Sequence, residues 1–184
     1  MIIGITGSFG AGKGVVVDYL KTRGFKHYSA RDFIFEEIRR RGLDTSLGRE
    51  VTIPVANDLR ATRGPAFIVE SLHMRATGDG DNAVIESLRA VAEARRLKEL
   101  GAFILGVDAD SRLRYERATA RGSETDHVSY EQWLDQERRE SNPDDPTKQD
   151  IFGALKESDA VVLNNGTLEE LYAQVDLALK KAGV

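Results

Sequence analysis

The sequence has no cysteine among its 184 residues. Disulfides, thiolate metal ligands and a thiol nucleophile are therefore excluded, and we expect a cytoplasmic protein. The three histidines, His27, His73 and His127, are scattered and form no metal-ligand spacing. No apolar run approaches the roughly 18 residues that span a membrane. Because Met1 leads directly into an apolar segment, we expect no signal peptide and no membrane partner.

An excess of basic charge is also lacking. The 26 basic and 30 acidic residues give a net charge of −4, which argues against general nucleic-acid binding through a basic surface. The length suits one domain, and the apolar share of 41% is that of an ordinary globular protein. We expect a single domain over residues 1–184, a monomer or weak homodimer, and no nucleic-acid partner.

A glycine-rich stretch near the start organises the rest of the chain. An apolar run at 2–6 precedes it, and an apolar helical pattern at 15–20 follows. Gly7, Gly12 and Lys13 have the G-x-x-x-x-G-K spacing of a phosphate-binding loop, whose backbone N–H groups wrap a polyphosphate. The alternative is a glycine-rich turn with a chance lysine. The order of strand, loop and helix favours the phosphate-binding loop, with nucleotide contacts from Gly7, Ser8, Phe9, Gly10, Ala11, Gly12, Lys13, Gly14 and Val15.

The stretch resembles the loop of the adenylate kinase family, G-x-P-G-x-G-K-G-T. Phe9 and Val15 stand where that family has proline and threonine, and Gly14 replaces the Ser or Thr that contacts Mg²⁺ in the commoner loop. The resemblance implies ATP as donor, Mg²⁺ held largely by water and ATP oxygens, and Lys13 as a catalytic residue. The missing hydroxyl leaves reduced or absent turnover as an alternative.

The segment after the second predicted strand, at 25–29, resembles the family's acceptor-binding pattern S-T-G-D-x-x-R. Ser29 and Asp32 match it, Arg31 replaces its glycine, and Phe35 replaces its phosphate-binding arginine. The resemblance implies acceptor contacts from Ser29 and Asp32, and Arg31 is a substitute cation. The alternative for Arg31 is a solvated arginine on the helix predicted at 30–41.

Two further helices, at 47–63 and 66–76, interrupt the alternation of strands and helices. Pro54 suggests an early turn or kink in the first, and Pro65 suits the first residue of the second. Nucleoside monophosphate kinases insert their acceptor-binding region here, which the resemblance places at about 30–77. Arg60 is its candidate acceptor ligand, and the alternative is a surface salt bridge.

The strand predicted at 82–89 ends in Glu86 and Arg89. Ligands of open parallel sheets bind outside the carboxyl ends of the strands, so both side chains are expected beside the phosphates. The stretch resembles the D-G-x-x-R element of adenylate kinases, or the shorter D-G-x-R form of archaeal adenylate-kinase-related proteins, with glutamate for aspartate. The resemblance implies that Glu86 orients Mg²⁺-bound water and Arg89 clamps the acceptor phosphate. The alternative is that Glu86 caps the helix predicted at 90–100.

A fourth strand at 102–108 leads to a helix on which Arg114, Arg117 and Arg121 share a face. The helix resembles the segment that enters the lid of adenylate kinases. The resemblance implies that Arg117 stacks on adenine and Arg121 contacts the donor phosphates. A solvated charged face is the alternative.

Residues 122–146 resemble a short helical lid, with a helix at 130–140 that carries Arg138, a candidate substrate-binding residue. The alternative is a static hairpin whose arginines pair with Asp126, Glu131, Asp135 and Glu137. A fifth strand and turn at 159–166 resemble dephospho-CoA kinases and archaeal adenylate-kinase-related proteins. The resemblance implies that Asn165 and Gly166 lie against the donor adenine.

These features predict an α/β three-layer P-loop kinase fold with a five-stranded, mainly parallel sheet. The expected activity is transfer of the γ-phosphate of ATP to a nucleoside monophosphate, with Mg²⁺. Dephospho-CoA kinase is one alternative. A nucleotide-binding regulator or P-loop ATPase with little kinase activity is another.

Overall fold

A computed structural model of the protein describes residues 1–120, 129–139, 141, 144–145 and 148–183. The strands in these ranges are β1 (Ile2–Gly7), β2 (Lys26–Ser29), β3 (Ala83–Leu88), β4 (Phe103–Asp108) and β5 (Ala160–Leu163). The α-helices are α1 (Lys13–Thr22), α2 (Ala30–Arg40), α3 (Arg49–Arg63), α4 (Phe67–Asp79), α5 (Val91–Glu99), α6 (Ser111–Ala120), α7 (Tyr130–Arg139), α8 (Ile151–Lys156) and α9 (Leu168–Ala182).

The five strands form one sheet in the order β2-β3-β1-β4-β5, and each neighbouring pair is parallel. The glycine-rich loop follows β1, the central strand, so it emerges at the middle of the carboxyl edge of the sheet. Parallel strands are buried on both faces, which is why β4 is almost continuously apolar. The predicted five-stranded α/β architecture is confirmed.

Helices cover both faces of the sheet and give the three layers. Val16 and Leu20 of α1 pack with Leu171 and Val175 of α9 over one face. The other face is covered by α2 to α5, and its largest fully buried side chains are Ile38, Ile68, Ile85, Leu88, Leu97 and Ile104. Burial of these apolar side chains on both faces holds the carboxyl edge in place.

Pro54 lies inside α3, the helix in which the sequence placed it. Two local features differ from the sequence prediction. Pro65 does not begin α4, which starts at Phe67 after Ala66. Helix α8 was not indicated by the sequence because six residues are too few to show a helical period. Asp150 caps it, since its Oδ1 accepts a hydrogen bond from the N–H of Gly153 at 3.0 Å.

No helix among the described residues is long and apolar enough to cross a membrane. Residues 122–128, 140, 142–143 and 146 of the lid predicted at 122–146 lie outside the described residues, as does Arg121. Helix α7 is the main part of that segment whose placement is known.

Candidate functional site

The loop between β1 and α1 curls at three glycines. The φ angles of Gly7, Gly10 and Gly12 are 142°, 77° and 93°, values that side-chain-bearing residues rarely adopt. A Cβ at Gly7 would lie 1.9 Å from the carbonyl oxygen of Val107, and one at Gly10 would lie 2.5 Å from that of Arg114. Glycine is therefore required both by conformation and by space.

Lys13 begins α1, and its Nζ donates to the carbonyl oxygens of Gly7 (2.7 Å) and Ser8 (2.9 Å). The ammonium group of Lys13 thus reaches back to the first residues of the loop. The amino end of α1, which follows the last residue of the loop, adds positive potential. The Ser8 hydroxyl is fully buried and has no hydrogen-bond partner among the described residues. A positive, curled loop with an orphaned buried hydroxyl fits a polyphosphate ligand.

Gly14 has open space around it. No heavy atom would lie within 4 Å of a Cβ at this position, and its φ is not positive. Steric exclusion therefore does not explain why the loop lacks the usual hydroxyl. A serine or threonine would fit here at the amino end of α1.

Polar contacts fasten the loop to the end of β5. Asn164 donates its Nδ2 hydrogen to the carbonyl oxygen of Ala11 at 2.9 Å, and Arg117 donates to the carbonyl oxygen of Asn164 at 2.9 Å. The side-chain oxygen of Asn165 accepts from the N–H of Asp110 at 2.7 Å. Arg117 and the turn with Asn165 are thus together beside the loop, and their contacts with the donor adenine stay a prediction. Asn164, the residue that contacts the loop, was missed because its partner is distant in the chain.

Arg114 does not share the phosphate-facing role suggested by its spacing. Its side chain is buried, donates to the carbonyl oxygen of Phe9 at 3.2 Å and forms a two-pronged ion pair with Glu137. Its guanidinium also lies 5.0 Å from the ring centroid of Trp133. Arg114 therefore ties α7 to the loop; like Arg117 it lies beside the loop, but its guanidinium is engaged by Glu137 and by the loop backbone.

Helix α7 packs over the loop through aromatic side chains. Trp133 is buried, and its ring centroid lies 6.5 Å from that of Phe9 and 6.0 Å from that of Tyr115. Arg138 is exposed on the same helix and does not line the cavity described next. The structure thus brings Phe9 into contact with Trp133 of α7 and leaves Arg138 outside the cavity.

An arginine-lined cavity of about 340 Å³ lies beside the loop. Its cationic lining comes from Arg31, Arg60 and Arg89, contributed by α2, α3 and the end of β3. The other lining residues are Phe9, Ala30, Ile34, Gly48, Thr52, Ile53, Ala56, Ser87 and Gln149. Phe9 belongs to the loop as well, so the two features are adjacent.

Arg60 is locked in a buried ion pair. Its Nε and Nη2 atoms each lie 2.9 Å from Oε1 of Glu93, and the two side chains are 3% and 2% exposed. The salt bridge of Arg60 is therefore buried, and not at the surface as the alternative had it. The second oxygen of Glu93 accepts from the backbone N–H groups of Arg89 (2.8 Å) and Ala90 (3.1 Å). Glu93, rather than Glu86, therefore caps α5.

The remaining acceptor candidates separate into two groups. Arg89 lines the cavity, and its guanidinium lies 3.5 Å from the amide oxygen of Gln149. Arg31 also lines it, with its guanidinium 5.1 Å from the centroid of the Phe35 ring. Ser29 instead caps α2, accepting from the N–H of Asp32 at 3.2 Å. Ser29 and Asp32 are not among the cavity-lining residues.

Glu86 lies at the end of β3 in contact with His27 of β2. The two side chains are 3.0 Å apart and are both mostly buried. The hydrogen bond from His27 holds the pKa of Glu86 below its ordinary value against the opposing effect of burial, and the charges of Lys13 and Arg89 lower it further. No group of three or more metal-ligating side chains occurs in the described ranges. A cation here would be held largely by nucleotide and water, with Glu86 as the nearby carboxylate.

Comparison with known proteins identifies the family and the fold. The family model described as "AAA domain" matches residues 3–144. The chain is 28% identical to a UPF0200 protein of Pyrobaculum aerophilum over 97% of this chain and 96% of that protein. A UPF0200 protein of Thermococcus kodakarensis is 29% identical over 95% and 94%.

Solved structures give the same fold at low identity. TT1252 from Thermus thermophilus matches with a TM-score of 0.68, 20% identity and coverage of 98% and 97%. A dephospho-CoA kinase from Campylobacter jejuni has a TM-score of 0.54, 15% identity and coverage of 98% and 96%. A shikimate kinase from Acinetobacter baumannii has a TM-score of 0.52, 16% identity and coverage of 99% and 93%. The fold is that of the P-loop kinases.

Proposed function

Because the chain belongs to the AAA domain family and has the P-loop kinase fold, we propose that it transfers the γ-phosphate of ATP to a nucleoside monophosphate. The observation that carries the proposal is the adjacency of the phosphate-binding loop and the arginine-lined cavity, joined at Phe9. ATP with Mg²⁺ occupies the loop, and the acceptor occupies the cavity. An oxygen of the acceptor phosphate attacks the γ-phosphorus, the bond to the β-phosphate oxygen breaks, and ADP leaves.

Catalysis in this scheme is positional and electrostatic. Lys13 neutralises charge on the transferring group, and Arg89 and Arg31 hold the acceptor phosphate in line with it. Arg117, Asn165 and Gly166 would hold the adenine of the donor, and Glu86 would hold Mg²⁺ through water. Arg121, outside the described residues, stays a predicted contact of the donor phosphates. Arg60 supports the cavity wall through Glu93 instead of binding the acceptor directly.

Two observations favour a phosphate over a hydroxyl as the attacking group. A hydroxyl needs a base to take its proton, whereas a phosphate oxygen is already anionic at neutral pH. Glu86, the carboxylate at this edge, has a lowered pKa and is therefore a weak base. Arg31 and Arg89, which line the cavity of about 340 Å³, also match an acceptor that presents a phosphate.

Dephospho-CoA kinase stays the second candidate, and a regulator or ATPase with little kinase activity is the alternative of another class. Gly14, Val15 and Phe35, which lack the hydroxyls and the arginine of the resembled patterns, favour the latter. ADP and phosphorylated product should be measured with ATP·Mg²⁺ and each ribo- and deoxyribonucleoside monophosphate, with dephospho-CoA, and with no acceptor. Product from dephospho-CoA alone would replace the proposal, and acceptor-independent ADP release would favour the ATPase.

The variant that tests the loop is Lys13→Ala. Loss of a main phosphate clamp should lower kcat by roughly 10²–10³-fold, while the fold stays intact. Lys21→Ala is the matched control, because Lys21 lies on the same helix, is half exposed and pairs only with Asp18 in the structure. Equal turnover in the two variants would show that Lys13 does not contact the transferring phosphate.

A further inference from the structure

Ser87 has an unusual backbone conformation. Its φ is 75°, and no other residue except glycine has a positive φ in the described part of the chain. L-residues with a side chain pay a steric cost in this region, which glycine avoids. A serine in this strained conformation indicates that its side chain has a function.

The sheet explains how the conformation arises. In the pairing of β1 with β3, Ile5 lies opposite Glu86 and Thr6 lies opposite Leu88, so Ser87 is skipped as a bulge. Bulges re-aim side chains at the ends of strands beside functional sites. Leu88 stays buried in the core and Ser87 lines the arginine-lined cavity. The bulge thus separates a core side chain from a cavity side chain at adjacent positions.

The hydroxyl of Ser87 is available to a ligand. None of the residues that the structure describes forms a hydrogen bond with it, although the backbone around it is fixed by the sheet and by Glu93. Arg89 and Arg31 line the same cavity. A hydroxyl donor and two cationic groups that line one cavity match a tetrahedral oxyanion.

We propose that Ser87 determines acceptor specificity by donating a hydrogen bond from its Oγ to the anionic group of the acceptor. The inference rests on the proposed kinase function and adds a contact to it. The acceptor class is a small molecule whose oxyanion, a phosphate in the nucleotide case, lies between Ser87 and Arg89. The strained φ keeps the hydroxyl at this point instead of letting it turn into the sheet.

Two substitutions separate the hydroxyl from the strain. Ser87→Ala removes the hydroxyl and keeps a side chain at φ 75°, whereas Ser87→Gly removes both. Both variants should raise the acceptor KM by roughly 10- to 100-fold, the range for losing one hydrogen bond to a charged group, with the KM for ATP unchanged. Ser87→Gly should melt roughly 2 °C or more above Ser87→Ala, because only glycine relieves the strain.

Ser71→Ala is the control. Ser71 lies on α4, away from the cavity, and its hydroxyl donates a hydrogen bond to the carbonyl oxygen of Phe67. If the wild-type protein is active and both Ser87 variants keep its acceptor KM, the specificity role is wrong and the kinase proposal stands. If the wild-type protein phosphorylates no acceptor, the kinase proposal fails first, and the role of Ser87 fails with it. A raised KM for ATP as well would show that the bulge serves the fold of the loop instead of the acceptor.

Discussion

The phosphate-binding loop and the arginine-lined cavity are adjacent but are built in opposite ways. The loop is one continuous segment whose geometry depends on the backbone of Gly7, Gly10 and Gly12. The cavity is assembled from side chains of α2, α3, the end of β3 and residue 149, which are far apart in the sequence. Local geometry therefore dominates one site and long-range packing the other.

The cations of the two sites differ in the same way. Lys13 bonds to carbonyl oxygens of its own loop, contacts that a phosphate can replace. Arg60 is buried against Glu93, whose other oxygen holds two backbone N–H groups of the next loop. An arginine in a cavity wall can thus be a structural element, and its presence alone does not make it a ligand contact.

The largest expected effect concerns this buried pair. Arg60→Ala should lower the free energy of unfolding by roughly 3–5 kcal/mol, because Glu93 would keep a buried charge without its partner. Urea unfolding checks the value. Arg63→Ala is the control, since Arg63 is exposed at the end of the same helix over the Phe67 ring, and it should cost no more than about 1 kcal/mol.

A double variant separates the loss of the ion pair from the cost of leaving Glu93 without its partner. Arg60→Met with Glu93→Gln removes both charges and should recover much of the lost stability. If Arg60→Ala costs no more than Arg63→Ala, the pair does not support the fold, and Arg60 would again be a candidate acceptor ligand.

A smaller effect is expected at Gly14, on the loop side. Gly14→Ser would place a hydroxyl in open space at the start of α1 and should tighten binding of ATP·Mg²⁺ by roughly 5-fold, about 1 kcal/mol. Calorimetric titration with and without Mg²⁺ measures the change. Gly14→Ala controls for helix propensity. A gain shared by both variants, or independent of Mg²⁺, would mean that the added hydroxyl does not contact the cation.

The smallest effect is expected at His27, which contacts Glu86 at the end of β3. Its hydrogen bond is the main reason why the pKa of Glu86 lies below the ordinary value. A lowered folded-state pKa stabilises the protein above the unfolded value, about 4.3, and this contribution disappears as the pH falls through the folded value.

His27→Ala should therefore move the midpoint of acid unfolding to higher pH and cost less than about 1 kcal/mol at pH 7, since the pair is partly exposed. The control is His73→Ala, because the side-chain hydrogen-bond partner of His73 among the described residues is Thr77 of its own helix. Circular dichroism from pH 7 to pH 2 follows the transition. An unmoved midpoint in His27→Ala would show that this contact does not stabilise the carboxylate.

The sequence indicated most elements because their causes are local. The apolar runs of β1 and β4 and the capping box of Thr167 and Glu170 were visible as short patterns. Helix α8 was not visible because its six residues contain too short a pattern. The strained Ser87 was also invisible, since its φ follows from a bulge in the pairing of two distant strands.

The phosphate-binding loop could be predicted from the sequence, because a strand, a curl of glycines and a helix start depend on neighbouring residues. The roles of the arginines depend instead on tertiary contacts. Arg60 pairs with Glu93 across 33 residues of the chain, and Arg114 with Glu137 across 23. The sequence alone does not distinguish a solvated arginine from one that is paired or that faces a ligand. Its role is set by the charges and the solvent that surround it after folding.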